Sequence, residues 1–182
     1  MNMKKKFTFI IIGILIAVAA AMILNMRFPV RHLDIIRANA GELDVSLILA
    51  VIKTESGFRE EVRSHAGAQG LMQLMPATAA DVASQMGMTD FQPEDIWKPE
   101  VNIALGSFYL NRLANMYGCT QLALAAYNAG QGRVGSWLAN PEFSQDGKKL
   151  DVIPFPETHN YLRRVNRNER VYRAILNVTG RA

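Results

Sequence analysis

The chain has 182 residues, 49% of them apolar, with 20 Lys and Arg against 16 Asp and Glu for a formal net charge of +4. That length and apolar share exclude a disordered chain and suffice for one domain with a real core plus a short appendage. A single cysteine and three scattered histidines exclude an internal disulfide and a metal site built from Cys and His; Gly-rich phosphate loops are also missing, so no metal or cofactor is expected.

The chain opens MNMKKK and runs almost entirely apolar from Phe7 to Leu24, close to the length needed to span a bilayer. The run is longer than a usual signal-peptide core. Ala19, Ala20 and Ala21 lie inside it with apolar residues still to follow, which favours an uncleaved anchor over a cleaved signal peptide. Lys4, Lys5 and Lys6 then stay cytoplasmic under the positive-inside rule, diluted slightly by Arg27 and Arg31. The expected organisation is a basic flank and transmembrane anchor over residues 1–27 and a globular domain over residues 28–182 on the extracytoplasmic face of the cell membrane.

A first soluble helix is predicted from Phe28 to Ala40, with Pro29 near its start, Leu33, Ile36 and Ala40 on one face, and Gly41 ending it. Asp44 is placed to cap the next helix, which runs to Glu55. Residues 47–52 read LILAVI, so this helix has no polar face there and must be surrounded by protein. Gly57 follows as a C-cap and leaves Glu55 in the last turn, at the negative end of the helix dipole. The dipole and partial desolvation both disfavour the ionised carboxyl, so a raised pKa is expected, and a protonated carboxyl in a cleft is a general acid.

The segment from Phe58 to Gly70 is polar and Gly-bearing, and its Glu60, Glu61 and Arg63 read as solvated charges. GLMQLMP, residues 70–76, sets one amide, Gln73, among bulky apolar neighbours. Gln73 can cap a chain reversal, or its donors and acceptor can orient a sugar hydroxyl or acetamido group. Pro76 opens a helix that stops at Gly87. A loop or single helical turn follows, with Trp97 as a core anchor, and Pro99 opens a long helix. In that helix Ile103, Gly106, Leu110, Leu113 and Tyr117 share one face while Val101, Leu105 and Phe108 share another, so it is buried. Gly118 ends it, Cys119 is expected as a buried small residue, and Thr120 can cap the next helix.

In AYNAGQGRV the glycines at 130 and 132 permit a sharp reversal, placing Tyr127 and Asn128 at a helix end. A short helix with Trp137 and a polar loop with an Asp146-Gly147 turn come next. The final helix is predicted from about Glu157 to Asn177, with Tyr161, Leu162, Val165, Tyr172 and Ile175 as its buried stripe. Arg163, Arg164, Arg167, Arg170 and Arg173 give it a basic face. Nothing alternates with period two over any length, so the domain is expected to be all-α, with at most a minor hairpin.

The blocks ESGF (55–58), GAQGLMQLMP (67–76), NIALGSFYL (102–110), ALAAYNAGQGRV (123–134) and PFPETHNYL (154–162) resemble, in order and spacing, the successive motifs of the soluble lytic transglycosylase family. The resemblance covers about Ile35 to Val171. It implies a lysozyme-like fold with a cleft between two lobes, the glycan strands of peptidoglycan as partner, and no role for nucleic acid. It further implies that Glu55 is the catalytic acid and that Ser64, Gln73, Tyr127, Asn128 and Glu157 line the cleft and bind substrate.

Glycosidases normally use two carboxylates. A single one suffices where the 6-hydroxyl of muramic acid attacks its own anomeric carbon, the route that the resemblance implies. Two readings compete with it: a hydrolytic muramidase, with Glu157 or an acidic neighbour of Glu55 positioning water, and a non-catalytic peptidoglycan-binding scaffold. The presence of Glu55, Gln73 and Tyr127 together favours the enzyme.

Overall fold

The structure is a computed structural model that describes residues 3–181, with side chains described from residue 10 onward. The chain divides into two compact units, one ending at Arg31 and one beginning at His32. Its helices are α1 (Met3–Arg27), α2 (Leu33–Asn39), α3 (Val45–Glu55), α4 (Pro76–Gln85), α5 (Pro99–Tyr117), α6 (Thr120–Ala129), α7 (Gln131–Leu138) and α8 (Pro156–Thr179), with a 3-10 turn at Pro93–Trp97. Extended pairing among the described residues is confined to two isolated antiparallel bridges, Arg63 with Gln69 and Gln69 with Leu74. The domain is all-α, as the sequence predicts.

The first unit is dominated by α1. Its stretch Ile10–Arg27, 18 residues with mean hydropathy 2.3 and none of it buried, is long and apolar enough to cross a membrane.

The second unit is built on α3. Asp44 caps it, Oδ1 accepting the Ser46 N–H at 2.8 Å. From Ser46 to Ile52 every side chain is buried, as a helix with no polar face requires. α3 lies along α8 over its length, α5 packs on α6 and α2, and α8 also meets α6. Residues 28–32 are not helical, so the first soluble helix begins at Leu33 and not at Phe28. The physical reason is His32, whose φ of 55° is left-handed and cannot continue a right-handed helix.

Other departures concern which side chains the packing covers. Cys119 is exposed, not buried, because it sits in the reversal between Gly118, at φ 61°, and the first turn of α6. α5 is buried over most of its circumference, but Phe108 falls on the strip left to solvent and is 36% exposed. Ile96, not Trp97, is the fully buried residue of the 3-10 turn, and in α8 Leu176 takes the core position expected of Ile175.

Candidate active site

Glu55 is the last residue of α3. The N–H groups of Ser56 and Gly57 both turn back to the Ile52 carbonyl, at 3.0 and 3.2 Å, and Gly57 and Phe58 are successively left-handed at φ 64° and 66°. This double reversal drives the Phe58 ring into the core, 6.3 Å from Tyr172, and leaves Glu55 half-buried at the end of the rod. Burial pushes its carboxyl pKa up to about 7, against opposing influences of the Tyr161 hydroxyl and the Arg164 guanidinium. Near neutrality Glu55 therefore exists in both protonation states and can either give or take a proton.

α8 is the wall behind that carboxyl. Asn168 Nδ2 donates to Thr54 Oγ1 at 3.0 Å, and Thr54 in turn donates to the Ala50 carbonyl at 2.7 Å. That pairing aligns α8 with the last turns of α3. Tyr161 is buried on the same helix and acts on Glu55 as a donor, yet its hydroxyl has no partner at full hydrogen-bond geometry. Asn168, Tyr161 and Arg164 thus follow one edge of α8 along α3, and the last two bear directly on the Glu55 carboxyl.

Tyr127, two residues before the end of α6, donates from its hydroxyl to the Met72 carbonyl at 2.8 Å. Its ring packs against Tyr109 at 5.4 Å. Burial and the negative charge of Glu55 hold its phenol pKa well above the ordinary value, so it is a neutral donor at any working pH.

The loop between α3 and α4 is braced from within. Gln73, left-handed at φ 50°, donates both amide hydrogens to the carbonyls of Val62 and Gly70, each at 2.8 Å. The capping role is therefore what its nitrogen does, and Oε1, which accepts no hydrogen bond among the described residues, is its remaining polar atom. Ser64 Oγ accepts the Ala68 N–H at 3.0 Å. Asn102 reaches in from α5: Oδ1 accepts the Met72 N–H at 2.7 Å, and Nδ2 donates to Gln69 and Ile96 carbonyls at 3.1 and 2.9 Å. Asn128 Oδ1 accepts from Thr158 Oγ1 at 2.9 Å, joining α6 to the first turn of α8. Glu157, in that turn, is exposed and is not among the groups that act on Glu55.

The structure thus brings Tyr127 electrostatically against Glu55 and ties it through Met72 to Gln73, while Ser64 and Asn128 serve as braces and Glu157 stands apart. Sequence reasoning missed Tyr161, Arg164 and Asn102 as parts of the site. Tyr161 could have been found as the tyrosine three residues after Thr158 in PETHNYL, and Asn102 as the asparagine set between the apolar Val101 and Ile103 in the first turn of α5. Among the described residues no group of three or more His, Cys, Asp or Glu side chains could hold a metal ion.

A helical domain in which a buried helix ends at a half-buried, proton-holding carboxyl, with an Asn-braced loop and a tyrosine beside it, falls in the lysozyme-like class. Residues 33–150 match the model of the Transglycosylase SLT domain, and the chain belongs to that family. It is 36% identical over 155 residues to the soluble lytic murein transglycosylase of Salmonella typhimurium, covering 82% of this chain and 24% of that protein. It is 32% identical over 171 residues to membrane-bound lytic murein transglycosylase C of Histophilus somni, covering 81% of this chain and 47% of that protein. Among solved structures it resembles an inactive mutant of lytic transglycosylase Slt from Pseudomonas aeruginosa, with a TM-score of 0.74 at 35% identity over 85% of this chain and 26% of that one. The 70 kDa soluble lytic transglycosylase of Escherichia coli gives the same TM-score, 0.74, at 31% identity over 84% of this chain and 26% of that one. The chain thus spans about a quarter of the length of the soluble relatives it matches.

Proposed function

We propose that this chain is a peptidoglycan lytic transglycosylase that cleaves the β-1,4 bond between N-acetylmuramic acid and N-acetylglucosamine and leaves a 1,6-anhydromuramoyl end. The observation that carries the reading is the half-buried Glu55 carboxyl with a pKa of about 7. Protonated, it gives its proton to the glycosidic oxygen; ionised, it takes the proton from the 6-hydroxyl of the muramoyl sugar as that oxygen closes on the anomeric carbon. The nucleophile belongs to the substrate, so its effective concentration replaces a second protein carboxylate. The exposed position of Glu157, outside the groups that act on Glu55, fits a single-carboxyl route better than the hydrolytic one.

Tyr127 acts by fixing the Met72 carbonyl and the loop that presents Gln73, whose Oε1 is available to an acetamido N–H or a sugar hydroxyl. Ser64 and Asn128 hold the walls to which these groups are attached, and Glu157 contributes at most at the rim. α1 is the membrane anchor, residues 1–27 forming the anchor unit and residues 28–182 the catalytic domain. Lys4, Lys5 and Lys6 put the domain on the extracytoplasmic side, where its glycan substrate is found.

Mass analysis of fragments released from purified peptidoglycan tests this. Fragments lighter by one water, absent with Glu55→Gln, are the expected result. Reducing-end products would mean hydrolysis, and binding without release of any fragment would mean a scaffold.

A further inference from the structure

We propose that the arginine face of α8 is a docking surface for the phosphate headgroups of an anionic membrane. Arg163, Arg164, Arg167 and Arg170 are exposed. With Asn160 and Asn166 they line an open groove of about 630 Å³. None of the four forms an ion pair among the described residues, whereas Arg173, one turn further on, is held by Glu169 at 2.5 Å and by Asp44 at 3.4 Å.

This is not general basicity. Residues 32–182 carry 15 Lys and Arg against 16 Asp and Glu, so the domain is close to neutral, yet five of those cations lie on α8. Guanidinium groups present planar forks that match phosphate oxygens two at a time and are weakly hydrated, so an unpaired row of them favours phosphate over diffuse counter-ions. A shallow, open row along a helix suits a surface of many headgroups better than one enclosed ligand.

Chain length supplies the occupant. Only residues 28–32 separate α1 from α2, a reach of at most about 17 Å when fully extended. A domain of this size has a radius of gyration of about 15 Å. With α1 in a bilayer, the start of the domain stays within that reach of the headgroups, so the bilayer is present at high effective concentration. This step rests on the reading of α1 as an anchor. Tyr161, Val165 and Tyr172, which face the core, lie on the opposite side of α8 from Arg163, Arg167 and Arg170, so those three carry the docking, and Arg164, at the edge of the groove, is the one that bears on Glu55. That opposition disfavours the groove as a subsite for the substrate's peptide carboxylates.

The test uses the full chain with Cys119→Ser and Asn166→Cys, a fluorophore on the new thiol, reconstituted in vesicles carrying a headgroup-quencher lipid. The vesicles are phosphatidylcholine alone or an equal mixture with phosphatidylglycerol. Alkaline extraction from the neutral vesicles reports separately whether α1 is inserted. Quenching several-fold stronger in the anionic vesicles, and lost in molar salt and with Arg163, Arg167 and Arg170 all changed to Gln, is the expected result. Insertion with equal quenching in both vesicles, or quenching that survives the triple change, overturns the proposal. So does a fluorescence response to peptide-bearing glycan strands with none to phosphatidylglycerol, which would assign the groove to substrate. Complete alkaline extraction would overturn the anchor reading and the docking proposal together, leaving the catalytic reading untouched.

Discussion

The Tyr127 hydroxyl donates a 2.8 Å hydrogen bond to the backbone carbonyl of Met72, joining the end of α6 to the loop that carries Gln73. A phenol whose pKa is held well up by burial and by Glu55 never ionises at working pH, so this donor is permanent. Tyr127→Phe removes one buried hydrogen bond and strands its acceptor, at a cost of about 1–2 kcal/mol. The expected melting temperature falls by roughly 2–8 °C. Activity on peptidoglycan falls further than stability does, roughly ten- to a hundredfold, because a displaced Met72 moves Gln73 as well. Scanning calorimetry and a soluble-muropeptide release assay read the two effects separately.

Asn102 holds the same loop from the other side. One side chain, 1% exposed, satisfies the Met72 N–H and the Gln69 and Ile96 carbonyls. Asn102→Ala leaves the Met72 N–H and the Ile96 carbonyl unpaired, while the Gln69 carbonyl keeps the Leu74 N–H at 3.0 Å, and the expected loss is about 2–4 kcal/mol. A urea midpoint that moves by less than a quarter of the wild-type value would show that water replaces the amide.

Gly106 gives α5 its close approach to that loop. A Cβ there would lie 2.5 Å from Met72 Sδ and 2.8 Å from Met72 Cβ, and the second atom cannot move without its backbone. Overpacking costs about 1–3 kcal/mol, only partly offset by the better helix propensity of alanine, about 1 kcal/mol. Gly106→Ala is therefore expected to lower the melting temperature and, by pushing on Met72, to lower activity more than stability.

These loop contacts mark the limit of what the sequence discloses. α3, its Asp44 cap and its end at Glu55 are legible because an unbroken apolar run, an N-cap residue and a C-terminal Gly57 are all local signals. So are the boundaries of α4 and α5, set by Pro76, Gly87, Pro99 and Gly118. Asn102, Tyr161 and Arg164 act across distances of tens of residues, and helical periodicity says only whether they face the core or solvent. Tyr161 reads correctly as a buried residue and Arg164 as an exposed one; that both bear on Glu55 depends on how α8 lies against α3. The start of α2 is missed for a different reason, since nothing in the residue type of His32 announces a left-handed backbone.

Tyr161 and Arg164 both lower the Glu55 pKa from what burial alone would give. Tyr161→Phe and Arg164→Gln each remove one such influence, so Glu55 should hold its proton to higher pH in either variant. The alkaline limb of the kcat/KM profile, expected near pH 7 in the wild type, then moves upward. An unchanged limb in both variants, with activity otherwise retained, would mean that Glu55 is not the group that titrates.

The same carboxyl ties stability to pH. Its folded pKa of about 7 lies above the unfolded value of 4.5, so between those values the folded state binds more protons and stability falls as pH rises. The loss begins above about pH 4.5, is nearly complete by about pH 8, and amounts to roughly 3 kcal/mol. Glu55→Gln keeps the shape, cannot ionise, and should remove this slope, leaving a protein of similar stability at pH 4 and greater stability at pH 8 while glycan cleavage is abolished. Denaturant midpoints at the two pH values check it. Equal slopes in the two proteins would show that the carboxyl is hydrated in the folded state, which would also remove the physical basis for a general acid at neutral pH.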